Sequence, residues 1–248
     1  MGAFLFAGLL SANLQAACEV DRYDETATLE KIYDGDTIRL TDGRKVRFIA
    51  INTPELAYKD RPAQALAVEA SQSLKQMFQT SKRVHLLYGV DRKDRYKRLL
   101  AHVFTEQGKN VAAELIQQGL GFAILVSPND GLHECYFAQE QLAIKRKKGI
   151  WAHMDYQPRQ ANELTREMTG FQRIEGRVEK IGHGKKWLWL DLAPLFSVKV
   201  LRKNLKYFED QPIELLVGKR IRVRGWTAYY NGKLRMSLSH PAMMELMD

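Results

Sequence analysis

Arg47 interrupts the apolar run Val46, Phe48, Ile49, Ala50 and Ile51. A guanidinium half-buried in such a strand needs an anion. Two kinds answer: an internal carboxylate, Asp34 or Asp36, or a phosphate gripped by the planar fork of donors. Downstream, Asn52-Thr53-Pro54-Glu55 brings an amide, a carbonyl and a carboxylate, and Pro54 stiffens the chain as it leaves the strand. Oxygen donors of this type suit a hard cation. Fixed cations beside a carboxylate aimed at water are also what hydrolysis of an anionic ester needs, because the ester gains charge in its transition state.

The elements that must position these residues follow from alternation: strands over Ala27 to Tyr33, Thr37 to Leu40 and Lys45 to Ile51. Asp42-Gly43 between the last two predicts a hairpin. Folding about that turn carries Asp36 and Asn52 to one open end of the sheet. A helix is expected from Arg61 to Phe78, then a strand from Val84 to Tyr88. The run from Asp91 to Arg98 reads, taken alone, as a solvated loop before a strand over Leu99 to Phe104. Helices are expected over Asn110 to Gln118 and Glu134 to Lys148, the second stopped by Gly149.

At 248 residues the chain suits two domains, and no apolar stretch is long enough to span a bilayer. Its net charge of +9 points to a polyanionic partner, with nucleic acid ahead of an anionic membrane surface. Residues 171–248 hold 15 basic against 8 acidic side chains, and residues 1–170 hold 23 against 21. The last third therefore carries most of the excess charge.

Asp34-Gly35-Asp36-Thr37, Val46-Arg47-Phe48 running to Asn52-Thr53-Pro54-Glu55, Asp94-Arg95-Tyr96 with Arg98-Leu99-Leu100-Ala101, and Gly149-Ile150-Trp151 together resemble the staphylococcal nuclease (thermonuclease) family over roughly residues 27 to 152. The resemblance implies an α+β, mainly β fold: a five-stranded OB-type barrel with three helices. It also implies a calcium-dependent phosphodiesterase acting on DNA and RNA. Asp36, Asn52 and the carbonyl of Thr53 would hold the ion, Glu55 would be the general base, and Arg47 and Arg98 would bind the phosphate. Asn52 stands where the family has a second calcium-binding Asp, so calcium should bind more weakly or another divalent ion should serve. Phe122-Ala123-Ile124-Leu125-Val126 lacks the tyrosines that line the nucleotide pocket in the family, while Tyr96 keeps its motif position.

Beyond residue 170, five strand-like stretches and a short helix near residues 203 to 208 look like a second small OB-like barrel. Aromatic and basic residues interleave there. Lys185, Lys186, Trp187, Arg222, Arg224, Trp226 and Lys233 are the candidates for holding nucleic acid, against the reading that the rings fill the barrel and the arginines form its wet face.

The first 18 residues carry no charged side chain and resemble an export signal. The two cysteines, Cys18 and Cys135, form a bridge if the chain is exported; otherwise they are unrelated thiols, or Cys18 is acylated. The expected organisation is a signal peptide over 1–18, a catalytic domain over 19–155, a linker over 156–170 and a basic OB-like domain over 171–248. The expected location is the periplasm or the exterior. The expected partner is DNA or RNA, with no membrane insertion unless Cys18 is lipidated and no protein partner. The alternative function is a nuclease-fold protein that only binds nucleic acid.

Overall fold

In the computed structural model, which describes residues 18–247, the Asp42-Gly43 hairpin forms where alternation predicts it. It joins β2 (Thr37–Leu40) to β3 (Lys45–Phe48), with Gly43 at φ 88°. β1 (Glu25–Ile32) pairs with β2. A two-residue β4 (Ile51–Asn52) and helix α1 (Ala67–Met77) precede the long β5 (Arg83–Lys93) and β6 (Leu99–Thr105). The five strands close a barrel in the order β1-β2-β3-β6-β5. Ile38, Leu40, Val46, Phe48, Leu86 and Val103 fill it. Helix α2 (Val111–Gln117), β7 (Phe122–Ala123) and α3 (His133–Lys145) complete the unit, so the barrel carries the three expected helices. The signal-peptide expectation lies outside the described residues except at Cys18.

Two boundaries differ from expectation for reasons that matter to the site. β3 stops at Phe48, because Ala50 at φ 67° bends the chain, and the strand resumes as β4 paired with β7. Helix α1 begins at Ala67 rather than Arg61, because Leu66 at φ 66° cannot sit in a helix. Residues 58–66 instead form a loop that clasps Glu55: Glu55 N donates to Gln64 Oε1 at 2.8 Å, and Gln64 N donates to Glu55 O at 2.9 Å.

The second half begins with β8 (Arg159–Gln160), within the expected linker, where Ala161 and Leu164 are buried. It continues through β9 (Gly170–Arg177), β10 (Lys180–His183), β11 (Trp187–Ala193), β12 (Phe196–Leu201), β13 (Arg220–Tyr230), β14 (Lys233–Leu238) and β15 (Met244–Leu246). These curl into one sheet ordered β10-β11-β12-β14-β13-β9-β8, with β15 against β13. The short helix expected near 203 to 208 is a 3-10 helix over Arg202–Phe208. No helix among the described residues is long and apolar enough to cross a membrane.

The two halves share apolar packing: Phe122, Ile124, Leu125 and Ile150 of the first join the core built on Ile174, Leu190, Val198 and Val223 of the second. A buried ion pair crosses the same boundary, Arg224 Nη1 on β13 to Glu140 Oε2 on α3 at 2.7 Å. On the first turn of the same helix, Cys135 is joined to Cys18 by a disulfide across 117 residues of sequence. A loop of that length restricts the unfolded chain by about 4–5 kcal/mol on the chain-entropy account. Beneath it Asn110 caps α2 and donates to Cys18 O at 3.1 Å and to Tyr136 Oη at 2.9 Å, and Tyr136 Oη meets His102 Nδ1 at 2.8 Å. Burial holds the His102 ring down at about 4, so it stays neutral in this network.

Candidate active site

The bend at Ala50 turns Asn52 and Thr53 back over the Asp34-Gly35-Asp36 turn. Asp36 Oδ2 accepts from Thr53 N at 2.9 Å and from Thr53 Oγ1 at 3.1 Å, and Asp36 Oδ1 accepts from Thr37 Oγ1 at 3.1 Å. The approach is close enough to require glycine: a Cβ on Gly35 would lie 2.8 Å from the Thr53 side chain. Arg47 reaches the same carboxylate, Nη2 to Asp36 Oδ2 at 3.1 Å, and donates through Nη1 to the carbonyls of Phe48 at 2.8 Å and Ile51 at 2.9 Å. Of the two anions open to Arg47 on sequence grounds, the internal one is therefore engaged. Arg98 is held from the opposite side of the loop, Nε to Asp94 Oδ2 at 2.7 Å, which leaves its terminal nitrogens for other oxygens.

These groups line one cleft of about 870 Å³. Asp34, Asp36, Arg47, Asn52, Glu55, Tyr96 and Arg98 all face it. Its lining sets five acidic against five basic side chains, yet two of the carboxyls are shifted. Burial, then the Asp36 charge, pushes the Asp34 carboxyl up to about 7. Glu55 lies exposed at the rim, yet the surrounding protein and Asp36 raise its carboxyl above the usual range against the pull of Arg47, Arg98 and Arg61. Carboxyls raised chiefly by burial, and then by the Asp36 charge, are ones that a nearby cation would relieve.

The donors lining the cleft are all oxygen, the carboxylates of Asp34, Asp36 and Glu55 and the amide of Asn52, while Thr53 is buried against Asp36 and is not part of the lining. That set fits a hard divalent ion. Among the described residues no cluster of three or more His, Cys, Asp or Glu side chains stands ready to hold a metal. An ion here would therefore rely on neutral oxygens as well as Asp36, as Asn52 in place of a carboxylate implies.

Residues 45–153 match the family model for staphylococcal nuclease homologues. The thermonuclease of Staphylococcus hyicus is 35% identical over 156 residues, spanning 61% of this chain and 85% of that protein. The chain belongs to the staphylococcal nuclease family. The thermonuclease of Staphylococcus intermedius is 34% identical over 131 residues, covering 51% of this chain and 76% of that protein. Endonuclease YncB of Bacillus subtilis (strain 168) is 33% identical over 133 residues, covering 52% and 63%. The family match ends at residue 153, so the second sheet stands beyond it.

On that sheet the candidate residues divide. Lys185 and Lys186 are exposed, and Lys186 sits 5.8 Å from the ring of half-buried Trp187. Arg222 lies across from Glu175 and Glu245 on the flanking strands and bonds both at 2.7 Å. Arg224 is buried on Glu140 and does not face solvent, so its expected contact with nucleic acid gives way to a structural role. Lys233 donates to Asp191 at 3.2 Å. Trp226 keeps its place on β13, paired with Phe171, and turns its ring into the cleft of the family's barrel. Sequence reasoning missed Lys199 and Arg235: Lys199 lies 4.6 Å over Trp187, and Arg235 lies 4.8 Å over Trp189 and 5.3 Å over Tyr230. Alternation of Arg235 with Leu234 and Met236 on β14 was the available signal.

Proposed function

We propose that this nuclease, a hydrolase of phosphodiester bonds, requires a divalent metal ion and cleaves DNA, RNA or both in the cleft of the first barrel. The observation that carries the reading is the convergence of Asp36, Glu55, Arg47 and Arg98 on one cavity. Glu55 takes a proton from the attacking water; its raised carboxyl lies nearer neutrality than an ordinary glutamate, which makes it a stronger base. The Arg98 terminal nitrogens grip one phosphate oxygen, and Arg47, held on the carbonyls of Phe48 and Ile51, turns its Nη2 from Asp36 to another, a directed geometry that lysine cannot supply. Asp36, Asn52 and Thr53 O would hold the ion, calcium or a related divalent cation, which supplies positive charge to the phosphate oxygens when bound. Tyr96, 65% exposed beneath Arg95 and Arg98, offers a ring at the edge of the same cleft.

Residues 19–155 perform the chemistry in this reading, and residues 171–248 hold nucleic acid. The face carrying Trp187, Trp189, Lys199, Tyr230 and Arg235, with Lys185 and Lys186 at its end, supports the second role. Lys199 is lowered by burial and by the neighbouring charges of Arg235 and Lys186, so the cations of this face oppose one another and favour an anion. Export to the periplasm or the exterior is supported by the uncharged first 18 residues and the Cys18–Cys135 bridge.

The test is degradation of single-stranded DNA by the purified protein with calcium, magnesium, manganese or chelator, beside Glu55→Gln. Ion-dependent cleavage that falls by about 10²–10⁴-fold in the variant is the expected result. Intact DNA in every tube, with binding retained, would make the chain a binding protein on a nuclease scaffold.

A further inference from the structure

Trp226 belongs to β13 of the second sheet, yet it shares the cleft with Arg47, Glu55, Tyr96 and Arg98. It is 44% exposed, although an indole gains much by full burial. Its position is fixed. Phe171 on β9 meets it edge to face at 5.2 Å, Phe171 packs on Phe122 at 5.1 Å, and Phe122 on β7 pairs with Asn52 on β4. An open ring is thus tied through two phenylalanines to the strand that leads to Glu55. The cleft neighbours contributed by the first half between Gly121 and Ser127 are Ile124 and Val126, which offer no aromatic face.

We propose that Trp226 is a specificity-determining residue that stacks an unpaired base of the strand bound in the cleft, so that the site favours single-stranded over duplex nucleic acid. A base within a duplex has both faces covered by its neighbours and reaches an indole only at the cost of unstacking. An unpaired base meets no such cost. The second sheet then completes the substrate site of the first barrel. This inference rests on the nuclease reading for the presence of a phosphodiester strand in the cleft, but its test needs no turnover.

The affinity of the full chain is measured by anisotropy, in chelator, for a short single strand, for the same strand with one abasic position moved along its length, and for the duplex. Wild type, Trp226→Phe and Trp226→Ala are compared. In the wild type one abasic position should weaken binding about tenfold. Trp226→Ala should bind the intact strand about tenfold more weakly and lose the abasic penalty, with duplex affinity unchanged. Trp226→Phe, which keeps a ring on Phe171, should retain most of both. An abasic penalty of equal size in wild type and Trp226→Ala, or an equal loss on single strand and duplex, would overturn the stacking role whether or not the protein hydrolyses anything. Failure to hydrolyse with any metal would instead overturn the nuclease reading and leave this measurement standing.

Discussion

The two halves of the molecule treat charge in opposite ways. Residues 1–170 are nearly balanced, with 23 basic and 21 acidic side chains, yet they leave Asp34 and Glu55 raised, chiefly by burial, in one cleft. Residues 171–248 carry an excess of basic residues, yet Arg222, Arg224 and Lys233 are spent on Glu175, Glu245, Glu140 and Asp191. Net charge describes the far field that draws a polyanion in. Which groups stay unpaired describes where the polyanion is handled.

The sharpest way to break that comparison is to remove a spent arginine. Arg224→Met leaves Glu140 buried beside Ala123 N without its cation, and burial already raises that carboxyl. The loss expected is about 3–5 kcal/mol of unfolding free energy, read by denaturant titration. A loss below about 1 kcal/mol would mean that the pair contributes little to joining the halves. A smaller effect is expected at the unspent cations. Lys199→Ala with Arg235→Ala should lower the salt slope of single-strand binding by about one for each residue removed and leave stability within about 1 kcal/mol. An unchanged slope would remove the second sheet from binding.

A third test concerns the cleft itself. In the folded protein the Asp34 carboxyl sits at about 7 against an ordinary 3.8, so the fold prefers its protonated form. That preference is fully present below 3.8 and is lost as pH rises through 7. In chelator, Asp34→Asn should therefore melt above the wild type at pH 8, with the advantage shrinking toward pH 4. Equal melting temperatures across that range would show that the cleft does not store unfavourable charge.

The barrel was readable from sequence because its signals are local. Asp42-Gly43 pins the hairpin, and two-residue alternation places Ile38, Leu40, Val46 and Phe48 inside. The catalytic candidates followed from a motif in which order and spacing carry the information. What escaped was long-range. Arg220, Arg222 and Arg224 alternate with Ile221 and Val223 and so share a face, but periodicity does not say what pairs with them; Glu140 on α3 and Glu175 and Glu245 on the strands beside β13 do. Glu140 and Arg224 are 84 residues apart, and nothing near either announces the other. The late start of α1 escaped for a different reason: Leu66 adopts a left-handed backbone that its residue type disfavours.

The core common to both halves bears on how such a chain can be inherited. Phe122, Ile124, Leu125 and Ile150 of the first half pack against the apolar side chains of the second sheet. A lineage that lost residues 171–248 would present those four side chains and Glu140 to water, and would have to recolour them as polar before the remaining barrel could stay in solution. A lineage that acquired the sheet would have to make the reverse changes in step. Gain and loss of the second half are thus coupled to substitutions in the first.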